Sequence, residues 1–288
     1  MGSLPSLNLA YAYCERVAKT HYENFTVASF LLPKDLRPYF NAVYAFCRHT
    51  DDLGDEAEGD RLALLHEWES DLFHVYGGSP KHPIMCALQD VVQRFGIPEE
   101  PFRRLITANR MDQGKVRFQT YSDLIQYCEH SATPVGQMVL YIIGDTTEES
   151  REFSDATCTA LQMVNFWQDI RRDYEIDRIY LPLEDMEAFQ YTEQELAGNV
   201  CNPAFRNLLC YEITRAKQLF KEGAPLIDRL NGRVQLDIAL FSKGGMRVLD
   251  MITKQNYNVL SKRPTVSATR KLWLAATTSI GLAFRRRP

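Results

Sequence analysis

The chain has 288 residues, 45% of them hydrophobic and 24% charged, which is the makeup of a folded protein with a substantial core. Its net charge of −4, with Lys and Arg scattered outside the extreme C-terminus, gives no electrostatic footprint for nucleic acid. No Pro/Gly/Ser-rich linker, charge block or low-complexity tract divides the sequence, so one domain over 1–288 is expected, with its core at about 10–260.

Apolar residues recur at helical spacing almost throughout, and no alternating run persists long enough for a sheet. In chain order, helices are expected at 8–20, 35–56, 60–76, 83–95, 99–111, 121–143, 148–174, 204–230 and 233–258. Breakers separate them: Gly77-Gly78-Ser79-Pro80, Gly96-Ile97-Pro98, Gly144-Asp145-Thr146-Thr147 and Ser261-Lys262-Arg263-Pro264. Pro134 falls inside the 121–143 helix and should kink it, freeing carbonyls near Ser131. The expectation is an all-α bundle.

The tail, about 265–288, holds an apolar run from Leu272 to Phe284 bracketed by Arg270-Lys271 and Arg285-Arg286-Arg287. It is too short to span a bilayer. Two readings stand: a terminal helix packed on the bundle, or a surface helix resting on anionic lipid, for which Trp273 and the basic flanks argue. Seven cysteines never adopt a C-x-x-C spacing, which suggests neither a disulfide framework nor a zinc site and fits thiols in a reducing compartment. The N-terminus lacks a basic region followed by an apolar stretch, so a cytoplasmic location is expected.

Two acidic rows carry the chemistry. On a helix, residues four apart share a face, so Asp51 and Asp55 point one way, with Tyr44 and Arg48 in register. Downstream, Gln162, Asn165, Asp169 and Asp173 form a second polar stripe, while Met163, Phe166, Trp167 and Ile170 lie opposite. A lone D-x-x-x-D is ordinarily a solvated face. Here Phe46 and Leu53 lie opposite the first stripe, and a simple solvent face has no need of Arg48 and Tyr44 in register; the second stripe reads as enclosed. Two such rows facing each other would hold Mg²⁺ between carboxylates and a diphosphate, because Mg²⁺ prefers oxygen, keeps some waters and bridges phosphate. Arg178 and Tyr180 follow the second row and could close over a phosphate, although an ion pair of Arg178 with Asp177 is the simpler alternative. His21 and His130 have no partner at metal-ligand spacing and read as structural. Without a G-x-G-x-x-G, a nicotinamide cofactor has no evident home, and NADPH is not expected.

These residues resemble the squalene/phytoene synthase family of all-α isoprenoid synthases. The matching pieces are Tyr44-Ala45-Phe46-Cys47-Arg48 leading into Asp51-Asp52-x-x-Asp55, Tyr127-Cys128, Pro134-Val135-Gly136, and Gln162-x-x-Asn165-x-x-x-Asp169-x-x-x-Asp173 followed by Arg178-Ile179-Tyr180-Leu181-Pro182. The resemblance implies an isoprenoid synthase helical bundle with a central cavity and a lipid-like prenyl diphosphate as substrate. It implies Mg²⁺–diphosphate roles for Asp51, Asp55, Asn165, Asp169 and Asp173, diphosphate contacts for Arg48, Arg178 and Tyr180, and pocket-lining places for Tyr44 and Gln162. Three positions depart from the condensing pattern: His21-Tyr22-Glu23-Asn24-Phe25 where H-x-x-S-F is usual, Glu129 where an aromatic is expected, and Gln168 where an arginine is expected. Asn24-Phe25, Ser131-Ala132-x-Pro134-Val135-Gly136 and Asn165-Phe166-Trp167-Gln168-Asp169 together resemble the bacterial hopanoid-pathway hydroxysqualene synthase branch, HpnC. That branch ionises presqualene diphosphate and captures water; Tyr44, Asn24 and Glu129 are candidates to place that water, and Phe25 joins the substrate contacts. The rivals are a head-to-head condensing synthase making squalene, dehydrosqualene or phytoene, and a non-catalytic membrane-associated assembly protein of the same fold. A peripheral contact with the inner face of the membrane, and contact with other squalene-pathway enzymes, complete the expectations.

Overall fold

In the computed structural model, residues 6–20, 33–267 and 277–279 are described. His21, Asn24, Phe25 and the apolar run of the tail lie outside them, apart from residues 277–279. The fold is all-α, as expected: thirteen helices among the described residues and one pair of two-residue strands. By backbone contacts the chain divides into two compact units, residues 1–113 with 133–151, and residues 114–132 with 152–288.

The first unit contains α1 (Leu7–Thr20), α2 (Arg37–Asp55), α3 (Arg61–Gly77), α4 (Pro83–Phe95), α5 (Glu100–Met111) and α7 (Thr133–Ile143). Local sequence sets their ends. Asp60 caps α3 by accepting from the Ala63 N–H at 3.0 Å. Pro83 opens α4, where its missing N–H is harmless, and Gly96 closes it in the left-handed region at φ 66°. Helix α2 packs against α1, α3, α4, α5 and α7, so it is the central helix of this unit. Its apolar face supplies Phe40, Val43 and Phe46 to a core shared with Leu65, Leu72, Leu88, Phe102 and Ile106. Phe46 stacks on Trp68 at 5.6 Å and meets Phe102 edge-on at 5.1 Å. The Trp68 indole N–H is satisfied by Thr50 Oγ1 at 2.9 Å. The first acidic row is therefore mounted on the best-packed helix of its unit.

The second unit contains β1 (Val116–Arg117), α6 (Tyr121–Ser131), nearly all of α8 (Glu148–Glu175), β2 (Arg178–Ile179), and α9 to α13, of which α11 is Pro203–Gly223 and α13 is Gly232–Lys254. Thr120 and Asp123 form a capping box at the start of α6, and Thr192 and Glu195 form another at α10 (Glu193–Ala197). The strands pair in parallel, Val116 with Arg178 and Arg117 with Ile179. The chain reaches β2 through Asp177 at φ 60°, a conformation Asp tolerates better than most residues.

Three expectations change. The 121–143 helix is two helices, because Pro134 sits in the first turn of α7, where it starts a helix rather than kinks one. The 204–230 helix likewise breaks before Pro225, which opens α12 (Pro225–Arg229). The stretch 178–202 holds β2, α9 (Leu183–Ala188) and α10, elements too short to show a period in the sequence.

Helix α11 approaches α8 through Gly223. A Cβ there would lie 2.1 Å from Thr157 Oγ1 and 2.7 Å from the Phe153 carbonyl oxygen. The backbone atom cannot yield, so Gly223→Ala should destabilise the protein by about 1–3 kcal/mol, the usual penalty of overpacking. Urea denaturation followed by circular dichroism measures this, and an unchanged midpoint would contradict the close approach.

Candidate active site

In the first unit, Tyr44, Arg48, Asp51 and Asp55 are all on α2, in the register the sequence suggests. Arg48 forms ion pairs with Asp52, one turn on, and with Glu56 at 2.6 Å. These contacts draw a guanidinium alongside the row. Asp51 accepts a hydrogen bond from Asn109 Nδ2 on α5 at 3.2 Å. Water reaches Asp51, yet protein atoms crowd its carboxylate, and the resulting desolvation pushes its pKa up to about 7. Asp55 and Asp52 add to the rise, while the Asn109 hydrogen bond and the Arg48 charge oppose it.

In the second unit, Gln162, Asn165, Asp169 and Asp173 lie on α8. Asn165 is exposed, and Gln162, Asp169 and Asp173 are half-buried. The opposite stripe is core, with Met163 and Trp167 completely buried and Phe166 and Ile170 nearly so. Asp169 is gripped at both oxygens by Arg263, Nε to Oδ1 at 2.5 Å and Nη2 to Oδ2 at 2.7 Å. Gln168 is buried and donates to the carbonyl of Pro264, and Arg171 donates to the carbonyl of Leu260 at 3.3 Å. The segment 259–264 thus straps the second acidic row. The sequence signal for it was Lys262-Arg263 inside a stretch read only as a helix breaker.

Beyond α8, Asp177 pairs with Arg117: Arg117 Nη2 bonds Asp177 Oδ1 and Glu193 Oε1, each at 2.7 Å. Tyr180 is 7% exposed, with its ring stacked 3.9 Å from Phe166 and close to Phe118 and Tyr127. Phe166 therefore acts as the platform that fixes Tyr180. Glu129 is exposed on α6. Asn109 and Arg263 are the contributors that the sequence did not flag.

Among the described residues, no three His, Cys, Asp or Glu side chains converge closely enough to hold a metal ion. The donors each row offers are hard carboxylate and amide oxygens, two or three per helix. This donor set fits Mg²⁺, provided that water and phosphate oxygens complete its octahedron.

The raised Asp51 pKa has a sign that can be measured. The folded protein holds this proton up to about pH 7, whereas an unperturbed Asp releases it near 3.8, so folding stability contributed here falls as pH rises through that window. Asp51→Asn removes the penalty. In EDTA, its thermal midpoint relative to wild type should climb between about pH 4 and about pH 8; a difference independent of pH would contradict the shift.

A sequence profile for squalene/phytoene synthase matches residues 12–270. The chain is 33% identical to 15-cis-phytoene synthase of Synechocystis sp., over 94% of this chain and 86% of that one. Among solved structures, squalene synthase HpnC from Alicyclobacillus acidocaldarius is 42% identical with a TM-score of 0.84, over 88% of this chain and 97% of that one. A dehydrosqualene synthase crystallised with a ligand is 28% identical with a TM-score of 0.87, over 96% and 98%. The profile match, the two acidic rows in register and the all-α fold agree: this chain belongs to the squalene/phytoene synthase family and is an isoprenoid synthase.

Proposed function

We propose that this enzyme is a hydroxysqualene synthase, which ionises presqualene diphosphate, lets the cation rearrange and captures it with water, giving hydroxysqualene and diphosphate. The reaction balances without a reductant. The carbon–oxygen bond breaks with its electron pair leaving on diphosphate, and water supplies the new hydroxyl and loses a proton. Asp51, Asp55, Asn165, Asp169 and Asp173 are the proposed metal–diphosphate residues, and Arg48, Arg178 and Tyr180 the proposed diphosphate contacts. Tyr44 and Gln162 are proposed to line the pocket, with Asn24, Phe25 and Glu129 as further substrate contacts. Bound Mg²⁺ would supply neutralisation of the departing diphosphate. The family match runs through both compact units, which interleave in sequence, and this supports treating residues 1–288 as one functional domain. The lipid-like substrate and the basic tail support a cytoplasmic enzyme in peripheral contact with the inner membrane face, near other squalene-pathway enzymes. Among the described residues, no helix is long and apolar enough to cross a membrane.

The observation that carries the reading is Gln168. Where the condensing pattern has an arginine, this chain places a buried amide committed to the Pro264 carbonyl, so the position presents no cation to a second diphosphate. The 42% identity to HpnC supports the same assignment. A condensing reaction that joins two prenyl diphosphates is the second reading, supported by the likeness to phytoene synthases.

Two expectations follow. Purified enzyme with Mg²⁺ should convert presqualene diphosphate to hydroxysqualene without NADPH and give little product from farnesyl diphosphate alone. Obligatory NADPH, or efficient phytoene, squalene or presqualene diphosphate synthesis from allylic diphosphates, would transfer the assignment to the condensing reading. Separately, Asp51→Asn, Asp55→Asn, Asp169→Asn and Asp173→Asn should each lower turnover by about 10²-fold or more with helical content preserved, because each removes charge that the departing diphosphate depends on. Near-normal turnover in all four would remove the acidic rows from the chemistry.

A further inference from the structure

Asn109 is a nearly buried amide on α5, 7% exposed. It bonds directly to the first acidic row. Its Nδ2 carries two protons, and both are used: one goes to Asp51 Oδ1 at 3.2 Å and one to the Leu105 carbonyl, a turn back on its own helix, at 3.1 Å. These partners are both acceptors, so turning the amide over would set oxygen against oxygen twice, and the network itself fixes which atom is nitrogen. The amide oxygen is driven against α2 at Gly54, where an added Cβ would lie 2.3 Å from Asn109 Oδ1. Gln113 holds the same junction from the other side, donating to the Gly54 carbonyl at 3.0 Å and to the Asn109 carbonyl at 2.7 Å.

We infer that Asn109 is a positioning residue for Asp51: its side-chain N–H engages Oδ1, fixes the carboxylate rotamer and leaves Oδ2 as the oxygen presented to a cation. Gly54 is the residue that permits the approach, because any side chain there would displace the amide. The chemistry of the donor matters. A neutral amide orients the carboxylate without cancelling its charge, whereas Arg263 both orients and neutralises Asp169 in the second unit. The Asn109 amide therefore adds no counter-charge of its own at Asp51. A carboxylate's orienting partner of this kind is worth about 10–100-fold in metal affinity.

The inference rests on the proposed role of Asp51 as a metal–diphosphate ligand, and the test separates the two. Mn²⁺ binding is titrated by electron paramagnetic resonance in the presence of inorganic pyrophosphate, alongside the thermal midpoint, for wild type, Asn109→Leu and Gln113→Leu. Leucine has the branched shape of asparagine, with bulkier ends, but cannot donate, so Asn109→Leu should weaken Mn²⁺ binding about tenfold or more. Gln113→Leu loosens the same α2–α5 junction without touching Asp51, so it should lower the thermal midpoint and leave Mn²⁺ affinity unchanged. If Asn109→Leu does not fold, Asn109→Ser, too short to reach Asp51, carries the same expectation. Wild-type affinity in the Asn109 variants, or an equal loss in Gln113→Leu, would overturn the positioning role while leaving the metal site standing. Failure of wild type to bind Mn²⁺ with pyrophosphate would overturn the metal reading of Asp51 and this inference with it.

Discussion

Carboxylates crowded on one helix repel one another, and the two rows are held by different partners, a neutral amide on Asp51 and a guanidinium on Asp169. On α2 the charges are divided. Asp52 and Glu56 are given to Arg48, while Asp51 receives only a neutral hydrogen bond and stays crowded by protein, with its pKa up to about 7. A carboxylate in that condition is poised to exchange its proton for a stronger counter-charge. On α8 the device differs, because Arg263 reaches from the strap after α13 and covers both oxygens of Asp169. A cationic ligand at Asp169 must share that carboxylate with a guanidinium or displace it.

Packing explains why the rows hold their register. In the first unit α2 touches five other helices, and the stack of Phe46 on Trp68, with Thr50 accepting the indole N–H, locks its apolar face. In the second unit α8 is anchored by its own apolar stripe and by the backbone approach of Gly223 at Phe153 and Thr157. Close packing leaves little freedom for rotation about the helix axis, so the polar stripe is aimed by the apolar one.

The fold class and nearly all the longer helices were legible because amphipathic periodicity is a local signal. So were the two rows, since spacing on one helix determines a shared face. What escaped has physical reasons too. Pro134 and Pro225 mark helix starts, which a periodic pattern running across them conceals. The short elements between Arg178 and Gly198 are held by side-chain caps and by the Arg117 pairs with Asp177 and Glu193, contacts that span tens of residues. Asn109 and Arg263 were missed because each acts on a carboxylate distant in sequence. An Asn near a helix end and an Arg beside a Pro are unremarkable until the fold brings them to their partners. The ion pair of Asp177 with Arg117 is of the same kind, spanning 60 residues that no local pattern connects.

We propose that this member of the family ends its reaction by water capture rather than by hydride transfer or condensation. The direct measurement is mass spectrometry of the product formed from presqualene diphosphate in oxygen-18 water, with Mg²⁺ and without NADPH. The expected product is hydroxysqualene carrying a single oxygen-18 atom. A hydrocarbon product, or a hydroxyl bearing no solvent oxygen, would contradict it.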